Sequence, residues 1–228
     1  MSSRPLAAAF AIAAVLGLAA HAYPGDPEKA GAAGARVNGK AAEPEARLEK
    51  ATFGGGCFWC LEAVFERIPG VKSVASGYAG GTVPHPSYAM VSSGLTGHAE
   101  VVQIAYDPAV VSFDALLETF WECHDPTTLN RQGPDFGTQY RSIILYHDDA
   151  QKQAAEESYR HLTAAGAFAN PIVTQLVPLK AFYLADPHHQ DYYRKNRNAA
   201  YCRMVIAPKL KKMQAKGANS PSPSNATP

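Results

Sequence analysis

A glycine-rich segment that ends in two cysteines carries the strongest chemical signal in this sequence. Residues 54–60 read Gly-Gly-Gly-Cys-Phe-Trp-Cys, and apolar residues then recur at helical spacing as far as Ile68. The glycines permit a tight turn and a close approach of the backbone to a ligand. Cys57 is therefore expected at a helix N-terminus, where the partial positive charge of the helix favours the thiolate. The pattern predicts a nucleophilic cysteine beside an apolar surface formed by Phe58 and Trp59.

The four cysteines, at positions 57, 60, 123 and 202, leave other interpretations open. Cys57-x-x-Cys60 also fits a dithiol redox motif or half of a zinc site, and the four could form two structural disulfides. A domain of this size needs no disulfides to fold. Zinc would need two more ligands, and His188-His189 is the only histidine pair, so we expect no metal and no other cofactor.

Two further segments offer acid and hydrogen-bonding groups. Period-two alternation in the strand predicted over 99–106 puts Glu100 on an apolar face, where desolvation would raise the pKa of its carboxyl and let it donate a proton near neutral pH. A glutamate at the end of a strand could instead turn back to solvent. Asp135 and Tyr140 lie in a glycine-broken loop before the next strand, which is a common place for binding groups.

Strands and helices alternate between these residues. The order indicates an α+β fold, an α/β sandwich with a mixed central β-sheet covered by helices and the reactive cysteine at a helix N-terminus. The predicted strands cover residues 51–53, 71–78, 99–106, 140–147 and 172–177. The predicted helices cover 58–68, 88–92, a segment capped by Ser112, a long helix to about residue 165 that Asp148 and Gln151 open as a capping box, and a tyrosine-rich segment at 187–196.

The N-terminal segment has the pattern of a secretory signal peptide. Arg4 precedes an apolar run over residues 6–20, and a small-x-small site ends at Ala22. The run is short for a spanning helix, which needs about 20 apolar residues. We expect residues 1–22 to be cleaved near Ala22, which predicts an exported protein, periplasmic or secreted, with no stable membrane insertion after cleavage. An uncleaved anchor is the alternative.

The remaining boundaries follow from composition. Residues 23–48 are rich in Ala, Gly, Pro and charge without periodicity and predict a flexible linker, residues 49–210 form the folded domain, and residues 211–228 predict a disordered tail. Lys and Arg total 21 against 20 Asp and Glu. This balance gives no reason to expect a nucleic-acid partner.

Together these segments closely resemble one family, the A-type peptide methionine sulfoxide reductases. The match keeps the family's order and spacing from about residue 51 to about residue 202. Its segments are Gly55–Trp59, Ser76–Tyr78 with Gly80-Gly81, Pro86–Tyr88, Ser93–Val101, His124–Thr127, Gly137–Ser142, and His189-Gln190 with Tyr192.

The resemblance implies a role for each matching side chain. Cys57 would attack the sulfoxide sulfur and Glu100 would protonate its oxygen, leaving methionine and a sulfenic acid that a second thiol converts into a disulfide. The remaining roles are a methyl pocket formed by Phe58 and Trp59, hydrogen bonds to the oxygen from Tyr88 and Tyr140, and a site-shaping role for Asp135.

The resemblance also implies the substrate and the reductant. Methionine-S-sulfoxide, in proteins and free, would be reduced in the repair of oxidised proteins, with thioredoxin or a similar dithiol as partner. Cys202 matches a distal recycling cysteine on the C-terminal segment and is the favoured resolving thiol. Cys60, which stands where family members often carry glycine, is a second and nearer candidate, but a single helix turn from Cys57 does not favour good disulfide geometry. Cys123 falls on a core-facing helix and is expected to be inert.

Two other functions remain open at this point. A general thiol–disulfide oxidoreductase would use Cys57-x-x-Cys60 and would not need Glu100. An exported metal-binding or peptide-binding module would show no turnover.

Overall fold

The computed structural model describes residues 47–219, with side chains to residue 215. The expected signal peptide, the linker up to residue 46 and the tail from residue 220 lie outside the described residues. Within residues 47–219, no helix is both long enough and apolar enough to span a bilayer.

A six-stranded mixed sheet forms the centre of the domain, which confirms the predicted fold class. Its strands are β1 (Glu49–Gly54), β2 (Val71–Ala79), β3 (Ala99–Tyr106), β6 (Ile143–Tyr146), β7 (Gln175–Pro178) and β8 (Phe182–Leu184), while β4 (Arg131–Gln132) and β5 (Asp135–Phe136) form a separate hairpin. The strand order in the sheet is β7-β6-β1-β3-β2-β8, and its one parallel pair is β6–β7.

The alternation in β3 separates the two faces of the sheet. Val102, Ile104 and Tyr106 enter the main core, whereas Ala99 and Val101 enter a smaller cluster on the other face. All five side chains are fully buried. The central strand therefore carries Glu100, whose position shares the parity of the main-core residues, toward the helical layer.

Helices pack over the main-core face. The helices are α1 (Phe58–Phe65), α2 (Tyr88–Ser92), α3 (Phe113–Cys123), α4 (Asp149–Ala164), α5 (Tyr192–Lys195) and α6 (Ala207–Asn219). Ser112 and Asp148 cap α3 and α4, as the sequence predicts, by accepting the backbone N–H groups of Ala115 and Gln151.

The tyrosine-rich segment predicted as one helix over 187–196 is divided in two, and that prediction was wrong. A 3₁₀ turn over Pro187–His189 and the short α5 are separated by Asp191, which adopts a left-handed conformation with φ 54°. Such a residue cannot continue a right-handed helix. The strand predicted over 140–147 is likewise shorter, because a 3₁₀ turn occupies Thr138–Tyr140.

The C-terminal part is more ordered than the sequence predicted. A π-helical turn over Cys202–Ile206 leads directly into α6, which extends to Asn219, nine residues beyond the expected boundary at 210. Ile206 and Leu210 are buried and Met213 packs on the same core. This apolar stripe stabilises a helix where composition alone predicted a tail.

Candidate active site

Cys57 is the N-cap residue of α1 and lies almost buried, with 6 % of its surface exposed. The glycines before it shape the entry to the helix. Gly56 has φ +95°, and a Cβ there would lie 2.6 Å from the Cγ atom of Gln132. A side chain at this position would meet both backbone strain and a clash. The structure therefore confirms that Cys57 stands at the start of a helix, as the sequence predicts.

Glu100 reaches the same helix start from β3. Its Oε2 atom accepts the backbone N–H of Phe58 at 3.1 Å, and only 2 % of the residue is exposed. Burial raises the pKa of the carboxyl to about 8, against the lowering effect of the Phe58 N–H group. Glu100 is therefore a carboxylic acid that keeps its proton at neutral pH, and it does not turn back to solvent.

Cys60 faces Cys57 across the first turn of α1. The Cys60 N–H donates to the Cys57 carbonyl at 3.0 Å, and the two thiols interact as a hydrogen-bonded pair. Burial raises the pKa of the Cys57 thiol, and the neighbouring Cys60 and Glu100 raise it further. The thiolate that the sequence predicted at this helix N-terminus is therefore not favoured on Cys57, because burial outweighs the partial charge of the helix. Because Cys57 donates to it, Cys60 has a lowered pKa of about 7. The pair thus loses one proton near neutral pH, and the proton that remains lies on Cys57.

Three more predicted residues lie around this pair. Tyr88 at the start of α2 and Tyr140 at the end of its 3₁₀ turn are half-buried, and burial followed by the nearby Glu100 raises the pKa of Tyr140. Burial raises the pKa of Tyr88 in the same way. Asp135 contributes a carboxyl from the β4–β5 hairpin, and burial raises its pKa as well.

Aromatic rings line the site beside the cysteines. Phe58 is fully buried against His189, with ring centroids 5.3 Å apart, and Trp59 stacks on Tyr192 at 3.6 Å with an interplanar angle of 7°. The His189 ring also lies 4.5 Å from the ring of Tyr88. The structure therefore adds His189 and Tyr192 to the apolar wall that Phe58 and Trp59 were predicted to form.

A buried glutamate that the sequence analysis missed holds this wall in place. Glu62 in α1 is 1 % exposed, and its two carboxylate oxygens accept the N–H groups of Asp191 at 2.9 Å and Tyr192 at 3.0 Å. These bonds fix the left-handed turn at Asp191 and place Tyr192 over Trp59. An acidic residue within an otherwise apolar helix face was the available signal.

Arg141 links the segments that lead to Glu100 and to Tyr140. Its guanidinium donates to the carbonyls of Gly97 at 3.0 Å and Thr138 at 2.9 Å. Gly97 precedes β3 and Thr138 begins the turn that ends at Tyr140. The arginine in the predicted motif therefore has a structural role outside the reacting centre.

A residue from the C-terminal segment also enters the site. The phenol of Tyr201 donates to Asp135 Oδ2 at 2.6 Å and lies 3.7 Å from Cys60 Sγ. Its neighbour Cys202 is fully buried, and all four cysteines are free. Cys123 donates to the Phe120 carbonyl in the core, and burial raises its pKa to about 11, as expected for an inert thiol.

Among the described residues, one group could offer three metal-ligating atoms, namely Asp186, His188 and His189, which lie within 4.8 Å of one another. His189 is 3 % exposed and both of its ring nitrogens are enclosed, so an ion could approach only the two exposed members. The cysteines and Glu100 lie outside this group. A cavity of about 680 Å³ lies elsewhere, lined in part by Val64 and Leu210.

The sequence matches the model of the family described as peptide methionine sulfoxide reductase over residues 49–221. It is 57 % identical over 160 residues to the peptide methionine sulfoxide reductase MsrA of Natronomonas pharaonis, covering 70 % of this chain and 90 % of that protein. It is 56 % identical over 165 residues to the corresponding protein of Sulfolobus acidocaldarius, covering 72 % of this chain and 93 % of that protein.

Solved structures show the same likeness. Reduced Mxr1 from Saccharomyces cerevisiae superposes with a TM-score of 0.64 at 36 % identity, covering 69 % of this chain and 91 % of that one. Methionine sulfoxide reductase A of Corynebacterium diphtheriae gives a TM-score of 0.61 at 38 % identity, covering 69 % of this chain and 78 % of that one.

Proposed function

We propose a full reaction course for this chain, which belongs to the A-type peptide methionine sulfoxide reductase family and is therefore an oxidoreductase that acts on methionine sulfoxide. The substrate in the proposal is the S epimer, in oxidised proteins and as the free amino acid. The observation that carries the proposal is the meeting of Cys57 and Glu100 at the N-terminus of α1.

The first step needs a thiolate and an acid on opposite sides of one S=O group. A proton passes from Cys57 to Cys60 within the hydrogen-bonded pair, and the Cys57 thiolate attacks the sulfoxide sulfur. Glu100, protonated at neutral pH, gives its proton to the oxygen. Methionine leaves, the oxygen stays on Cys57 as a sulfenic acid, and Cys57 has lost two electrons.

The phenols and the aromatic wall supply orientation. Tyr88 and Tyr140 both keep their protons, since burial raises their pKa values, and each can donate to the sulfoxide oxygen. The apolar wall formed by Trp59 and its neighbours accepts the methyl group on sulfur. Each oriented donor is worth about 2–4 kcal/mol of barrier in comparable sites.

Cys60 is the first thiol to trap the sulfenic acid in this proposal. It already contacts Cys57, and the two form a disulfide with release of water. Burial and, after it, the nearby Cys60 raise the pKa of the Cys202 thiol. Its thiolate then attacks Cys60, giving a Cys60–Cys202 disulfide and returning Cys57 to the thiol. The sequence favoured Cys202 as the direct partner, and the contact between Cys57 and Cys60 supports the relay instead.

A dithiol of the thioredoxin type would reduce the final disulfide. For this chain we propose export with cleavage near Ala22, so the dithiol would act outside the cytoplasm. The support for export is the N-terminal sequence pattern alone.

Mass spectrometry after one equivalent of methionine-S-sulfoxide tests the whole course. The reduced protein should release one equivalent of methionine and contain a Cys57–Cys60 or Cys60–Cys202 disulfide. Cys57→Ser should release none, whereas Cys123→Ser, the matched control in the core, should behave as the parent protein does. Full release of methionine by Cys57→Ser would contradict the assignment of the nucleophile.

One observation favours a second activity of the same site. Cys57-x-x-Cys60 begins at a helix N-terminus, as dithiol redox motifs do, although the lowered pKa of about 7 belongs to Cys60 and not to Cys57. Such an activity would reduce insulin disulfides, would require Cys60 and would be indifferent to Glu100→Gln. If insulin reduction were absent while sulfoxide reduction proceeded, this second activity would be excluded.

A further inference from the structure

We infer that Tyr201 is a positioning residue that keeps the reduced site closed, and that its departure is the same movement that brings Cys202 to the cysteine pair. The inference rests on the proposed disulfide relay and adds to it the residue that controls its timing.

Tyr201 connects three groups of the site across long sequence separations. Its phenol oxygen lies 2.6 Å from Asp135 Oδ2 and 3.7 Å from Cys60 Sγ. Its ring meets Trp59 edge-on, with centroids 5.9 Å apart. The C-terminal segment thus inserts one side chain between the β4–β5 hairpin and the first turn of α1.

The single phenolic proton decides how Tyr201 interacts with sulfur. A short hydrogen bond to a carboxylate is stronger than one to sulfur, so the proton belongs to the bond with Asp135. The phenol oxygen then lies 3.7 Å from Cys60 Sγ without giving its proton to the sulfur, so the bond to Asp135 is the one that holds the ring in place. Loss of the Asp135 bond would free the phenol to move.

Tyr201 and Cys202 cannot face the cysteine pair together. Tyr201 has helical φ and ψ of −59° and −43°, and successive helical residues differ in direction by about 100°. Because Tyr201 points into the site at Asp135 and Cys60, Cys202 points in another direction, and its fully buried side chain packs in the main core. Rotating the segment to bring the Cys202 sulfur toward Cys60 must therefore withdraw the phenol.

The backbone at this point suits such a rotation. Cys202 begins a π-helical turn in which its carbonyl accepts the Ala207 N–H, five residues on. Such turns are uncommon in helices and occur often at functional sites. The segment therefore has a local irregularity beside the residue that must move, while α6 anchors its far end.

The movement accompanies one thiol–disulfide exchange, which is the second step of the proposed relay. Cys202 thiolate attacks the Cys60 sulfur of the Cys57–Cys60 disulfide, the Cys60–Cys202 bond forms, and Cys57 leaves as a thiolate that takes up a proton. No oxidant beyond the sulfoxide is consumed. Tyr201 changes no oxidation state, and its bond to Asp135 affects only the rate at which Cys202 arrives.

Tyr201→Phe in the full chain tests the inference, because it removes the bond to Asp135 and keeps the ring against Trp59. Rapid quench with thiol alkylation and mass spectrometry, after one equivalent of methionine-S-sulfoxide, gives the rate of methionine release and the rate at which the Cys60–Cys202 disulfide appears. The ratio of the second rate to the first should rise about tenfold, since a bond to a charged group is lost.

Tyr193→Phe is the matched control, because the Tyr193 ring packs with Arg67 and Arg197 outside the site. Its ratio should equal that of the parent protein. An unchanged ratio in Tyr201→Phe would overturn the inference, as would equal changes in both rates, which a merely structural role predicts. Failure of the parent protein to release methionine would instead contradict the proposed function.

Discussion

The reaction needs Glu100 protonated and the neighbouring Cys57–Cys60 pair deprotonated, although both are buried in the same site. The carboxyl must keep its proton until the sulfoxide oxygen needs it, and the pair must have lost one. Burial raises the pKa of Glu100 to about 8, while the contact with Cys57 lowers the pKa of Cys60 to about 7. Between these values both conditions hold at once, which is how two groups of like charge can serve one reaction at neutral pH.

We expect kcat/KM to follow a bell-shaped pH dependence. It should rise through about pH 7 as the cysteine pair ionises and fall through about pH 8 as Glu100 loses its proton. Glu100→Gln should lower the rate by about 10²–10⁴-fold and remove the alkaline limb, because an amide has no acidic proton. A retained alkaline limb in this variant would assign that limb to another group.

The same carboxyl predicts a pH-dependent stability. The folded-state pKa of Glu100 lies above its ordinary value of 4.5, so the folded state binds the proton more tightly. The associated stability is present at low pH and is lost as pH rises from 4.5 through about 8. The unfolding free energy of Glu100→Gln should therefore rise by roughly 4 kcal/mol relative to that of the parent protein between pH 5 and pH 9. Urea unfolding at both pH values measures this, and a difference independent of pH would contradict it.

At the scale of elements, α1 performs most of the positioning. Its N-cap carries Cys57, its first turn carries the N–H that binds Glu100, and its buried side places Glu62 beneath the α5 turn. Neighbouring positions of one helix have fixed directions, so nucleophile, acid and aromatic wall keep their relative positions. The helix is short, and packing of its apolar residues against the sheet stabilises it.

Glu62→Gln should loosen the aromatic wall. One amide nitrogen would face a backbone N–H of Asp191 or Tyr192, leaving a buried donor without an acceptor at a cost of about 1–3 kcal/mol. We expect a lower unfolding free energy and a several-fold higher KM for sulfoxide, with a smaller change in kcat. Glu118→Gln, on the exposed face of α3, is the control. An unchanged KM would show that the turn keeps its place without this carboxylate.

The elements themselves were largely predictable, because local patterns determine them. The strand over 99–106, the helix over 88–92 and the caps at Ser112 and Asp148 are confirmed. The break at Asp191 was not, since its cause is a carboxylate 129 residues away in sequence. A residue held left-handed by a distant partner gives no local signal.

At the scale of the whole molecule, the site joins segments from both ends of the domain. Cys57 and Glu100 were predicted because each has a recognisable signal in its own segment of sequence. For Cys57 the signal is the preceding glycine run, and for Glu100 it is the alternation of apolar residues in its strand. Tyr201 was not predicted, because its contact with Cys60 spans 141 residues and a tyrosine before a cysteine has no distinctive pattern. Long-range contacts of this kind depend on how α6 and the preceding π turn pack on the core.

Leu210 should be the main anchor of that C-terminal segment. It is 6 % exposed in α6 and lines the cavity of about 680 Å³ with Val64. Leu210→Ala should lower the unfolding free energy by about 2–4 kcal/mol, since the cavity enlarges and little can fill it. Hydrogen exchange over residues 199–210 should also accelerate, because the segment behind Tyr201 loses its fixed end.

Met204→Ala is the control for this last variant, because Met204 is 71 % exposed on the adjacent π turn. It should change stability by less than about 0.5 kcal/mol. If Leu210→Ala lost stability without faster exchange over residues 199–210, the mobility of the C-terminal segment would be set within the π turn itself. In that case the anchoring role would pass from α6 to the bond between Tyr201 and Asp135, which the Tyr201→Phe variant removes by itself.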